Sequence, residues 1–213
     1  SVSGDLKDNI SEESAGQVLK SDDDSVSNLS SSVSSNGGAL QGNYIVNGST
    51  FADIQKAIDN AKNGDTITLK GISFLGNGTE IEINKSLNII GSDDGKTILN
   101  ACNLSGIFNV NGSNLNISNC NFINSNDIAI EVFSDNFTMI NCNFKDNYGK
   151  FSSHFRMITS TNNLYVENCS FINGFVEKST NIAAQAENSV FRDCIFAGNI
   201  VRGNSSGYGG AMQ

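Results

Sequence analysis

The sequence predicts an all-β solenoid, a parallel β-helix entered through one short N-terminal capping α-helix, and three observations predict it. Cysteines fall at 102, 120, 142, 169 and 194, at intervals of 18, 22, 27 and 25 residues. Around the last four a phrase returns: Leu115-Asn-Ile-Ser-Asn-Cys-Asn-Phe122, Phe137-Thr-Met-Ile-Asn-Cys-Asn-Phe144, Leu164-Tyr-Val-Glu-Asn-Cys-Ser-Phe171 and Ser189-Val-Phe-Arg-Asp-Cys-Ile-Phe196. Between copies lies a second short apolar segment: Ile107–Val110, Ala129–Phe133, Met157-Ile158 and Ile182–Ala184. A period of this length with several short strands fits coils that bury their apolar faces only by stacking on one another.

Composition narrows the classes. The 213 residues carry a formal charge of −9, include 32 asparagines and 21 glycines, and contain no proline or tryptophan. An acidic surface argues against nucleic acid, whose phosphates need a basic stripe. No apolar run approaches the roughly 20 residues of a membrane helix. The cysteines are odd in number and widely spaced, unlike zinc or redox motifs. The chain opens on Ser1, without a targeting segment in view, and reads as a processed piece.

Taken in order, residues 1–42 read as a disordered acidic, Ser-rich linker, with too little apolar surface to offset the entropy of ordering. Residues 43–213 read as the β-helix domain, truncated at its C-terminal end. Within it, Ser49–Gly64 is an amphipathic helix capped by Ser49 or Thr50, with Phe51, Ile54, Ala57, Ile58 and Ala61 on one face and Gly64 as its C-cap. Its task is to cover the open first coil. Thr66–Leu69, Glu80–Ile83 and Ser86–Ile90 follow as alternating strands. Stacking at about 4.8 Å turns the repeated phrase into ladders. Cys120, Cys142, Cys169 and Cys194 form one inward column; Phe122, Phe144, Phe171 and Phe196 form another. Asn119, Asn141, Asn168 and Asp193 sit at a recurring bend, where short polar side chains tolerate left-handed backbone. About six coils, a rod of roughly 30 Å, follow residue 64.

Phe51-Ala-Asp-Ile-Gln-Lys-Ala-Ile58, Asn63-Gly-Asp-Thr-Ile-Thr-Leu69 and Leu87-Asn-Ile-Ile-Gly91 together resemble the opening of right-handed parallel β-helix proteins of the pectate lyase-like class. More narrowly, the chain is similar to adhesin-like surface proteins of methanogenic archaea, which carry polymorphic outer membrane protein-type repeats. Phe144-Lys-Asp-Asn147, Phe196-Ala-Gly-Asn199 and Gly209-Gly-Ala-Met212 match those repeats; the coils at Phe122 and Phe171 lack the asparagine three residues on. The resemblance covers residues 44–213. It implies an extracellular location at the cell surface or wall, and attachment to glycans or proteins of a host or neighbouring cell.

No catalytic residue, metal site or cofactor is expected. Asp93 and Asp94 are adjacent acids in a turn, and Glu131 has no clear acidic mate. The longest interval between cysteines, 142 to 169, holds the one histidine and reads as a loop bulging from a coil. Its Tyr148, Lys150, Phe151, His154, Phe155 and Arg156 place aromatics beside cations, which suits a sugar platform, especially for acidic glycans. The expected function is a non-enzymatic adhesin-like rod. The alternatives are a polysaccharide lyase or glycoside hydrolase on the same fold, with its site near 146–156, and a purely structural wall or stalk element. Eleven Asn-x-Ser/Thr sequons allow glycosylation, with Asn168 a poor acceptor because its ladder would bury it. An open last coil predicts self-association of the chain.

Overall fold

The computed structural model describes residues 29–34, 41–158 and 160–203. The rest of the linker reading and the Gly209–Met212 element lie outside the described residues. The fold is a parallel β-solenoid of about six turns with one short helix before most of its strands.

Four sheets run along the rod, their strands numbered in chain order. The first joins β1 (Leu29–Ser34), β2 (Gln41–Val46), β3 (Thr66–Leu69), β6 (Asn88–Ile90), β9 (Leu115–Ser118), β12 (Phe137–Ile140), β16 (Asn162–Glu167) and β20 (Glu187–Arg192). The second stacks β4 (Ser73–Leu75), β7 (Thr97–Asn100), β10 (Cys120–Ile123), β13 (Asn143–Lys145), β17 (Ser170–Ile172) and β21 (Ile195–Ala197). The third stacks β5 (Ile81–Ile83), β8 (Phe108–Val110), β11 (Ile130–Val132), β15 (Phe155–Met157) and β19 (Ile182–Ala184). The fourth holds only β14 (Tyr148–Gly149), β18 (Phe175–Val176) and β22 (Ile200–Val201). β1 pairs antiparallel with β2, within the stretch read as linker; β2 onward pairs in parallel.

The repeated phrase spans a corner. Its first half is a strand of the first sheet and its second half a strand of the second, with the asparagine between them. Asn119, Asn141, Asn168 and Asp193 have φ of 58°, 55°, 50° and 51°. Left-handed backbone turns the chain there, and Asn and Asp are the side chains that reach it most readily. Each amide also reaches along the stack: Asn141 Nδ2 donates to Asn119 Oδ1 at 3.2 Å, and Asn168 Nδ2 to Asn141 Oδ1 at 2.7 Å.

Inside the corner, Cys120, Cys142 and Cys169 are buried, led by Thr97 in the coil before them. Each thiol donates to the carbonyl two residues back, at 3.2–3.4 Å in Cys120, Cys142 and Cys169. The thiol thereby satisfies a carbonyl beside the bend. Burial pushes the Cys120 thiol up to about 12. Next to this column the Phe122, Phe144, Phe171 and Phe196 rings stack at 4.8, 4.9 and 5.3 Å. Burying one such ring contributes about 1.5–3 kcal/mol.

The helix, α1 (Phe51–Asn60), begins at a capping box: Asp53 N–H donates to Thr50 Oγ1 while Thr50 N–H donates to Asp53 Oδ2. It buries Phe51, Ile54, Ala57 and Ile58. Its end differs from the sequence reading: Ala61, in extended backbone, is the C-cap, and Gly64 (φ 89°) belongs to the following turn. Lys85 supplies what a left-handed cap would have given. Its ammonium donates to the carbonyls of Ile58, Asp59 and Ala61 at 2.7, 2.9 and 2.8 Å, which also places a cation at the negative end of the helix dipole.

Candidate functional site

The segment after Cys142 is not a bulging loop. Its five extra residues are divided: the strand offset from the coil before steps from 22 at β13 to 25 at β15 and 27 at β16, so three enter the turn between β14 and β15 and two the turn after β15. Ahead of them β14 founds the fourth sheet, and the next two coils repeat it as β18 and β22. The coil then turns through 150–154 into β15 of the third sheet. The candidate site lies at the corner between these two sheets.

His154 and Phe155 are fully buried, so neither can touch a ligand, a correction to the sugar-platform reading. Phe155 stacks on Phe137 at 5.5 Å. His154 lies beside Phe144 and Phe171, with ring centroids 6.1 and 6.0 Å away. Its Nδ1 is 3.1 Å from Asn147 Nδ2 and its Nε2 is 3.0 Å from Asn199 Oδ1. Those partners assign the tautomer: Nδ1 accepts and Nε2–H donates. Burial holds the imidazole down to about 4, against small raising contributions from Asn199 and Asp146. It is therefore neutral at physiological pH, a packing group and not a proton carrier.

The packing has a reason that reaches back to the Phe-x-x-Asn matches. Asn147 donates to the Phe122 carbonyl at 3.0 Å and accepts from Ser125 N–H at 3.0 Å. Asn199 does the same two coils on, with the Phe171 carbonyl at 2.9 Å and Gly174 N–H at 2.8 Å. The motif's asparagine thus ties each turn to the coil before it. The coil between has glycine at 174, and the His154 ring occupies the space. A Cβ on Gly174 would lie 2.4 Å from His154 Nε2 and 2.3 Å from Asn181 Oδ1. Glycine and histidine are complementary halves of one substitution in the asparagine column.

The other four predicted residues face outward or partly outward. Tyr148 stacks on Phe175 at 5.7 Å and its hydroxyl donates to the Glu177 carboxylate, a bond that raises the phenol. Phe151 is 50% exposed, with Lys150 Nζ 5.6 Å from its ring centre. Arg156 pairs with Glu131 at 3.0 Å across adjacent strands β15 and β11. Phe151, Ser152, Arg156, Ser179, Ala183 and Gln185 line one shallow groove of about 260 Å³. An aromatic ring, a guanidinium and a side-chain amide in one groove offer a stacking face and polar groups to a hydroxylated ligand. Of the predicted set, the groove brings together Phe151 and Arg156; Lys150 borders it through Phe151, and Tyr148 stands on the fourth sheet.

Acidic residues that the sequence reading left apart come into electrostatic range. Glu131 is raised by burial and by Asp127, and held down by Arg156. Glu80 is raised by burial first, then by Asp127, Glu131 and Glu82. The acidic neighbours of Glu131 are thus Asp127, four residues earlier in the same coil, and Glu80, two coils earlier. Glu80 and Glu82 also line a groove of about 510 Å³ between α1 and β5. Asp94 is held in its own turn by Ser92 and Lys96, and its carboxyl drops to about 2. Among the described residues no group of three or more His, Cys, Asp or Glu side chains could hold a metal ion. Asn168 is exposed, not buried as expected of a ladder residue, though its amide nitrogen is engaged by Asn141.

Comparison with protein families, with curated proteins and with solved structures gave no match.

Proposed function

We propose that the chain is a non-enzymatic, adhesin-like rod displayed at a cell surface or wall, attaching to glycans of a host or neighbouring cell through the groove at the corner of the third and fourth sheets. The observation that carries this reading is the half-exposed Phe151 ring in one groove with Arg156, Ser179 and Gln185, with Lys150 beside the ring. Each such contact is shallow and weak, and attachment gains strength from many copies on one surface. The cations favour glycans that carry carboxylate or sulfate.

The test is a panel of neutral and acidic polysaccharides scored for binding and for chain length, with and without calcium. The reading expects binding to at least one acidic polymer, unchanged chain length, and a loss of about tenfold or more in affinity for Phe151→Ala and Arg156→Ala. Equal binding by both variants would overturn it. Binding to none of the panel would leave the rod a structural wall or stalk element.

A second reading, a polysaccharide lyase or glycoside hydrolase, is favoured by Glu80 and Glu131, whose carboxyls are both raised. A general acid needs such a shift. Shortened chains, with the shortening abolished in Glu80→Gln or Glu131→Gln, would establish it in place of the first.

A further inference from the structure

The second and third sheets show solvent different faces. On the third, the outward positions of successive coils are Glu82, Asn109, Glu131 and Arg156, all polar or charged. On the second they are largely aliphatic: Leu75 on β4, Ile98 on β7, Ile123 on β10 and Ile172 on β17. Leu75 is 47% exposed, and Ile72, just before β4, is 75% exposed. Clustered aliphatic surface in the middle of a polar chain marks a contact site more often than scattered exposed residues do.

Ile72, Ile98 and Ile123 lie together in a groove of about 510 Å³ on this face, and among the described residues the charged groups lining it are Lys96 and Lys145. The groove of equal volume between α1 and β5 is lined instead by Asp59, Glu80 and Glu82 with Lys56. The second-sheet groove is thus cationic on a chain of net charge −9. The acids that pair with its lysines, Asp94 at 3.0 Å and Asp146 at 3.6 Å, stand outside the lining, in exposed pairs that water screens. The floor is polar but internally satisfied. Asn121 Nδ2 donates to the Gly95 and Thr97 carbonyls at 2.6 and 3.0 Å, and Asn143 Nδ2 donates to Asn121 Oδ1 at 2.9 Å. An apolar body can lie on these amides without breaking bonds to water that they need.

We propose that this groove binds a free amphipathic anion with a linear aliphatic body, of the fatty-acid class. The body lies along Ile72, Ile98 and Ile123, and the carboxylate meets Lys145, with Lys96 alongside. Shape, lining and charge each select this ligand. The lining comes from four successive coils, Ile72 ahead of β4, then β7, β10 and β13, a run of roughly 14 Å at the inter-strand spacing. That run suits a chain laid along the rod. Among the described residues the lining holds no aromatic ring on which a flat ligand or a sugar would stack. Both charged groups are cations, which favour an anionic head over a neutral or cationic one. The volume falls within the range of small-molecule sites. The site stands on a different sheet from Phe151 and Arg156, and this inference is independent of the glycan reading.

The experiment is a calorimetric titration of the 213-residue chain with sodium dodecanoate below its micellar concentration. The expected result is saturable binding. Dodecyltrimethylammonium, with the same tail and the opposite head, should bind at least about tenfold more weakly, and acetate, with no tail, should not bind. Ile98→Asn combined with Ile123→Asn should weaken dodecanoate about tenfold or more, and so should Lys96→Gln combined with Lys145→Gln. Both lysines are exposed, so the second pair tests the site even if the first disturbs folding. Phe151→Ala should leave dodecanoate binding unchanged. No binding of dodecanoate would overturn the proposal, as would equal binding of the cationic analogue. Binding that the lysine pair leaves unchanged would overturn it too. Co-sedimentation of the chain with phosphatidylglycerol vesicles, lost in the same variants, would make the occupant a membrane in place of a free anion, and would also overturn it.

Discussion

The first and last described coils of this rod are built on the same plan but are covered differently. The first coil is sealed by a capped helix whose Gln55 and Lys85 contacts satisfy backbone groups that no strand reaches. The last described coil continues the phenylalanine and cysteine columns as Phe196 and Cys194, yet these side chains are only partly buried. The difference teaches that a stacked ladder is worth what lies on both of its faces. A residue inside the stack has two neighbours in its column, and among the described residues one in the last coil has the neighbour behind it alone.

The largest effect should come from breaking the stack at its centre. Phe144→Ala removes a ring packed between Phe122 and Phe171, and should cost about 3–5 kcal/mol in urea unfolding. Phe196→Ala, in the last described coil where the ring is only partly buried, should cost less than half of that, about 1–2 kcal/mol. Equal losses would show that the end coil is covered.

Next in size is the acid response of the middle coils. The His154 imidazole sits near 4 in the folded chain against an ordinary value of 6.5. Between those values the unfolded chain takes up a proton that the folded chain does not. Stability from this group is therefore complete above 6.5 and falls as pH drops towards 4, by about 3 kcal/mol. Glu80 and Glu131, both raised, act in the opposite sense, so the effect is read as the difference between the wild type and His154→Gln. Parallel stability–pH curves for the two proteins would contradict the buried assignment.

Replacing Lys85 by methionine should cost about 2–3 kcal/mol, because the carbonyls of Ile58, Asp59 and Ala61 lose a charged donor at the helix end. The smallest effect belongs to a surface amide: Asn168→Asp keeps the bend but loses the donor to Asn141, and about 1 kcal/mol should go with it.

The parts of the fold legible in the sequence were those in which a column repeats one residue type. The Cys, Phe and Asn columns at 119–122, 141–144, 168–171 and 193–196 could be read because the phrase recurs. The same columns continue into β7 as Thr97 and Leu99, which change the residue types, and into β4 as Phe74, which stands without the phrase around it, so the sequence marks neither strand. A further asparagine column, Asn114, Asn136 and Asn163, is bonded just as the first is, but no constant neighbour marks it. Lys85 and Gln55 act across 24 to 27 residues, which no local pattern encodes.

The candidate site was half legible for a related reason. Aromatics beside cations located the corner, and Phe151 and Arg156 do line its groove. Which aromatics face inward depends on β15 being a third-sheet strand, with Phe155 and Met157 pointing into the core and Arg156 out. His154 reads as a functional residue until Gly174 is seen opposite it. Ser179 and Gln185 come from the next coil and carried no signal.

The most direct test of the account is hydrogen exchange, read by mass spectrometry, on the 213-residue chain. Backbone amides of α1, β3, β6 and β9 should exchange only with global unfolding, and those of β20, β21 and β22, whose side chains are partly exposed, at least about a hundredfold faster through local opening. Equal protection at the two ends would contradict the account.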